Sequence, residues 1–216
     1  MGAATRRSVM RATLGLCGVS LLGVGACTQP PMRPTFPDLR FSHKQPFLFR
    51  ARRVEVQSRY RRPGGPPHVE HLLPLAPDRA AGLWAEDRLQ ANGEGEVLVR
   101  FTVHDASVVE KRLTVERGLR GLLKTEQAQS YYAQLEATVE LVDDVTGVSL
   151  GEANAKVWRS QTVPEDATMN ERDETWFALV ETLIGAFDTT MSARIAAHLG
   201  DHLVSAPDVD WGPSRS

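Results

Sequence analysis

Apolar and polar residues alternate with a period of two through four stretches of this chain, and recur near every 3.6 residues through two others. Over residues 52–60, Val54, Val56, Ser58 and Tyr60 fall on one side, and Glu55, Gln57 and Arg59 on the other. That is the mark of a strand, whose successive side chains point to opposite faces. Residues 96–109, 130–142 and 150–163 repeat it. The clearest case sets Tyr131, Ala133, Leu135, Ala137, Val139 and Leu141 against Glu136, Thr138 and Glu140, and Asp143-Asp144-Val145-Thr146-Gly147 then supplies a turn. Alternation over such lengths predicts a sheet covered on one face and wet on the other.

The helical period predicts two helices. The first covers residues 78–92, with Pro77 suited to its start and Gly93 to its left-handed exit; Ala80, Leu83, Trp84 and Ala91 share a stripe. The second begins at Asn170 as N-cap, with Asp173 facing the free helix donors, and runs to a stop at Gly200. Along it Trp176, Phe177, Val180, Leu183, Ile184, Phe187, Met191, Ile195, His198 and Leu199 form one broad stripe, which must lie against the sheet. The order is β-α-β-β-β-α. It predicts an α+β fold: one four-stranded mixed sheet with both helices packed on one face, in a single domain over residues 47–203. Residues 204–216, with Pro207 and Pro213, read as a flexible tail.

The amino end follows another pattern. Arg6, Arg7 and Arg11 precede an uncharged stretch from Ala12 to Ala26, which is shorter than the roughly 20 apolar residues a spanning helix needs. It closes on Val24-Gly25-Ala26-Cys27. This ending resembles the lipobox of bacterial lipoproteins, with valine in place of the commoner leucine. The resemblance implies a signal peptide over 1–26, cleavage before Cys27, and lipid attachment at that cysteine. Thr5-Arg6-Arg7-Ser8-Val9-Met10 also resembles a twin-arginine export signal, with Val9 where phenylalanine is usual. Thr28, rather than aspartate, follows Cys27; the family pattern then implies an outer-membrane anchor with the domain facing the periplasm, the inner membrane being the alternative. Prolines 30, 31, 34, 37 and 46 make residues 27–46 a tether of extended chain, whose far end carries Phe36, Leu39 and Phe41 to pack on the body.

Composition narrows the chemistry. The 216 residues are 24% charged, with a formal net charge of -2, against the strong positive excess of a nucleic-acid binder. Losing the three leader arginines takes that charge to -5. The two cysteines, Cys17 and Cys27, both precede the body, leaving it without a disulfide, a cysteine nucleophile or a cysteine metal ligand. His68-Val69-Glu70-His71 lacks zincin spacing and sits among prolines, so it reads as packing or surface. Glu165, Asp166, Glu171, Asp173 and Glu174 suit the positive end of the last helix. The sequence therefore predicts no catalytic residue, no metal and no cofactor.

Two stretches stand out as contacts. Arg50, Arg52, Arg53, Arg59, Arg61 and Arg62 are opposed by Glu55 alone, and form a candidate basic patch for anionic head groups or an acidic protein; the alternative is a wet strand edge protected by arginine. Arg117-Gly118-Leu119-Arg120-Gly121-Leu122-Leu123-Lys124 places three leucines in a glycine-punctuated connection. Each leucine is worth about 1.5–3 kcal/mol when buried. Leu119, Arg120, Leu122 and Leu123 thus either fold back over the sheet or meet a partner or bilayer.

With lipobox, tether and element order together, the chain resembles small envelope lipoproteins that assist transport machines. These are the auxiliary lipoproteins of Mce-type lipid ABC transporters and the lipoprotein partner of the lipopolysaccharide translocon. Pro74-Leu75 and Trp84-Ala85-Glu86-Asp87-Arg88-Leu89 carry the likeness to the auxiliary group's first helix, and uncharacterised alphaproteobacterial lipoproteins are also similar. No functional residue of these families transfers position by position. The resemblance implies a non-catalytic accessory lipoprotein bound to an envelope protein complex, a transporter or outer-membrane barrel. The alternatives are a stand-alone lipoprotein for a lipid or envelope ligand, and a cell-wall enzyme.

Overall fold

In the computed structural model, which describes residues 34–112 and 128–205, the alternating stretches become strands of one mixed sheet. All of these residues fall in one unit, Arg33–Ser216. In chain order the elements are β1 (Phe47–Phe49), β2 (Arg53–Ser58), α1 (Pro77–Arg88), β3 (Leu89–Ala91), β4 (Val97–Asp105) and β5 (Val108–Arg112). There follow β6 (Ala128–Asp143), β7 (Ser149–Pro164), α2 (Met169–His198) and β8 (Leu203–Ser205). The α+β class holds. The single four-stranded sheet does not: a five-stranded sheet of β2, β4, β5, β6 and β7 is accompanied by a three-stranded one ordered β3-β1-β8.

The reasons are local. β2 pairs parallel with β4, and β4 pairs antiparallel with the far half of β6. β5 pairs antiparallel with the near half of that same strand, from Val108 opposite Ala133 to Arg112 opposite Gln129. What reads as one strand over 96–109 is therefore two, parted where Asp105 turns its carboxylate onto the Ser107 amide at 2.9 Å. β1, β3 and β8 have three residues each, too few for a periodic signal. β3 also takes the end of the predicted first helix: Leu89–Ala91 runs extended beside Phe47–Phe49. Leu203 to Ser205, expected at the edge of a loose tail, pairs with β1.

The long helix starts earlier than its first asparagine suggests. Thr168 is the N-cap and accepts from the Glu171 amide, while the Glu171 side chain accepts from the Thr168 amide. This reciprocal capping box satisfies two end donors at once. The predicted stripe is buried from Trp176 to Leu199 except at His198, which is exposed in the last turn. α1 and α2 lie on the same side of the sheet. Trp84 of α1, Phe101 of β4 and Phe187 of α2, all fully buried, meet with ring centroids 5.0 to 6.3 Å apart. Edge-to-face contacts of this kind add to what apolar burial alone gives. Toward α2 the face of β7 begins with small residues, Gly151, Ala153 and Ala155, before Val157. At Gly151 a Cβ would come within 3.1 Å of the Leu199 side chain, so glycine is what lets the helix end approach the strand.

Candidate functional site

The far end of the predicted tether is part of the body. Phe36 stacks on Phe177 at 4.7 Å, and Phe41 is buried. The Arg40 guanidinium engages the Asp87 carboxylate, which also accepts from the Phe41 amide at 2.6 Å. Arg40 holds Asp87 below the ordinary carboxylate range. One turn further along, Lys44 Nζ donates to Asp188 at 2.6 Å.

Asp188 is the centre of the polar interior. Its other oxygen accepts from Trp84 Nε1 at 2.8 Å and from Arg88 Nε at 3.0 Å. Arg88 also donates to Ser192 at 3.1 Å and to the Gln45 carbonyl, with its guanidinium 4.9 Å from the centre of the Phe47 ring. Burial resists ionising Asp188, but the donors and cations around it outweigh that cost, and its carboxyl lies below the usual value. The cluster joins α1, α2, β1 and the strap before it. Its polar demands are met internally, which is the form of a structural ion pair.

Glu70 is a second buried carboxylate. One oxygen accepts from Tyr60 at 2.8 Å, from the Val108 amide at 2.7 Å and from His68 at 3.1 Å. Burial opposes its charge and these bonds favour it, leaving the pKa lowered. The His68–Glu70 pair thus secures the connection before α1, while His71 is exposed. No group of three metal-ligating side chains occurs among the described residues.

The basic cluster is dispersed by its partners. Arg52 and Arg53 turn to Asp144 in the β6–β7 turn, Arg53 at 2.6 Å and Arg52 at 3.5 Å, and Arg53 also meets Glu55 at 2.9 Å. Arg62 pairs with Asp78 at the start of α1 at 2.7 Å, and Arg50 donates to the Asp201 carbonyl at 3.0 Å. Arg50, Arg59 and Arg61, all exposed, lack an ion pair among the described residues. Acids distant in sequence thus arrive beside Arg52, Arg53 and Arg62 through the fold. Cys27 and the connection with Leu119, Arg120, Leu122 and Leu123 lie outside the described residues. The flanks of that connection, Arg112 and Gln129, are cross-strand partners.

Next to those flanks the wet face of the sheet carries an aromatic step. Tyr132 and Trp158 stack at 5.2 Å with their planes 13° apart, and Lys111 sits 5.2 Å from the Tyr132 ring centre. Trp158 remains 54% exposed, the most exposed aromatic ring of the body. The rest of the face is polar: Arg100 bridges toward Glu55 and Glu140, Lys156 meets Glu136 at 2.9 Å, and Asn154 donates to Thr138 at 3.0 Å. Two surface concavities flank the helices. One of about 380 Å³ lies along β7 beside α2, lined by Lys156, Val157, Trp158, Arg159, Ala186, Thr189 and Thr190. A smaller one, about 140 Å³, lies between the strap and the helices and includes Phe36, Leu75, Leu83 and Phe177.

No protein-family model and no curated protein matches the chain. Among solved structures, it is similar to a minor lipoprotein from Acinetobacter baumannii at 13% identity, over 72% of this chain and 95% of that one, with a TM-score of 0.35. It is also similar to a PelC dodecamer from Paraburkholderia phytofirmans at 13% identity, over 68% of this chain and 92% of that one, with a TM-score of 0.23. Neither likeness transfers a residue's role.

Proposed function

We propose that this chain is a lipid-anchored, non-catalytic accessory protein of a bacterial envelope complex, positioning or stabilising a larger protein partner. The filled interior favours this reading over a lipid carrier. Trp84, Phe101 and Phe187 occupy the space between the helices and the sheet, where a protein that binds lipid on its own would need an apolar cavity. The buried acids Asp188 and Glu70 are engaged in structural bonds rather than presented in a cleft. The anchor reading comes from Val24-Gly25-Ala26-Cys27. Several acyl chains hold a protein firmly where one binds reversibly.

The contact is assigned to the connection carrying Leu119, Arg120, Leu122 and Leu123, whose flanks Arg112 and Gln129 pair across β5 and β6. On the described surface the stacked Tyr132 and exposed Trp158 supply the aromatic anchors that protein interfaces favour. Crosslinking in cells, followed by identification of the captured proteins, tests the proposal. Parent protein should trap one envelope transporter or outer-membrane barrel, and a chain with Leu122→Asp should lose that adduct while keeping its thermal stability. Undiminished capture by the variant would move the contact elsewhere, and capture of no envelope protein would contradict the accessory role.

A further inference from the structure

The outer edge of β7 is the complement of itself. β7 closes one side of the five-stranded sheet: it pairs with β6 along its 16 residues and with no other strand among the described residues. Its wet face reads Glu152, Asn154, Lys156, Trp158, with Leu150 at the bulge where it leaves β6. Run two copies antiparallel, with Asn154 opposite Asn154. Glu152 of each then faces Lys156 of the other, and Trp158 of each comes to Leu150. On the helix face Ala153 meets Ala155 and Gly151 meets Val157. One register therefore matches charge with charge, apolar with apolar and small with small, and a one-residue slip destroys every match.

Three observations show that these groups await a partner. Glu152 makes no ion pair among the described residues, and its cross-strand neighbour within the sheet is another acid, Glu140. Lys156 is paired with Glu136 on its inner side yet stays 56% exposed. Leu150 and Trp158 are 45% and 54% exposed on an edge that in a solitary sheet would be a liability. A concavity lies beside the edge, and the α2 residues bordering it, Ala186, Thr189 and Thr190, are small. Two helices can approach closely across such side chains.

We infer that β7 pairs with β7 of a second copy about a two-fold axis at Asn154, joining two five-stranded sheets into one continuous sheet. Such an interface is isologous and closed, so it yields a dimer and no filament. This inference is independent of the lipid anchor and of the envelope partner.

The test uses the full chain, expressed with its own leader, carrying Asn154→Cys. Residues directly opposite on antiparallel strands have Cα atoms about 4.5–5.5 Å apart, inside the Cα separation a disulfide spans. A band of twice the chain mass should appear on non-reducing gels, vanish with reductant, and be absent from the parent, whose Cys17 and Cys27 serve as controls. In that background Glu152→Lys or Lys156→Glu turns two attractions into two repulsions and should cut the crosslinked fraction about tenfold. The double exchange restores opposite charges across the axis and should recover the parent level. Absence of the double-mass band, an adduct of another mass in its place, or a double exchange no better than either single one would overturn the proposal.

Discussion

Asp188 shows how a single side chain can hold several elements together. Lys44, Trp84 and Arg88 converge on it from the strap and from α1, and Arg88 reaches on to Ser192. Removing one member of a buried pair leaves the other charged in an apolar interior, which typically costs about 3–5 kcal/mol. Asp188→Ala should therefore unfold at a much lower urea concentration than the parent, with Arg88 as the stranded charge. Acid should act on the same centre. Asp188, Asp87 and Glu70 all have folded-state carboxyls below their ordinary values. Their contribution is then complete above an unfolded pKa of about 4 and drains away as the pH falls through the depressed folded values. The urea midpoint should stay level between about pH 7 and pH 5 and drop below about pH 4, with a shallower drop in Asp188→Asn. A midpoint insensitive to acid would place the stabilisation elsewhere.

Elements divide by whether their signal is periodic. α2, 30 residues long, carries its apolar stripe from Trp176 onward, and β6, 16 residues long, alternates from Tyr131 to Leu141, so both are legible from spacing alone. Phe187, fully buried against Trp84 and Phe101, should cost about 3–5 kcal/mol when cut to alanine, read by chemical denaturation. The start of α2 was misplaced by two residues, because Asn170 and Asp173 look like a cap until Thr168 and Glu171 are seen to bond reciprocally. Thr168→Ala should remove about 1 kcal/mol of stability, read by chemical denaturation. Short strands escaped because three residues cannot show a period and because their partners are remote in sequence: β1 finds β3 some forty residues on and β8 more than 150 residues on. Pairing partners also decided the arginine cluster, since Asp144 and Asp78 come to it only through the fold. The exposed edge of β7 was invisible for a related reason, as strand order is not written in alternation.

At the scale of the whole molecule, the strap fixes how far the body can stand from an anchor. Phe36 is already seated on Phe177, and nine positions separate it from Cys27. A chain of that length spans at most about 30 Å. A lipid on Cys27 would thus hold Phe36 within that reach of its attachment point. Lengthening the tether with a flexible insert before Phe36 should preserve stability but weaken capture of a membrane-embedded partner. Everything in this account of function rests on the fate of Cys27, and intact-protein mass spectrometry of the chain recovered from bacterial membranes measures it directly. The account predicts a chain that begins at Cys27 and carries the added mass of acyl groups, both lost in Cys27→Ala. A chain that retains residues 1–26 and bears no acyl mass would contradict it.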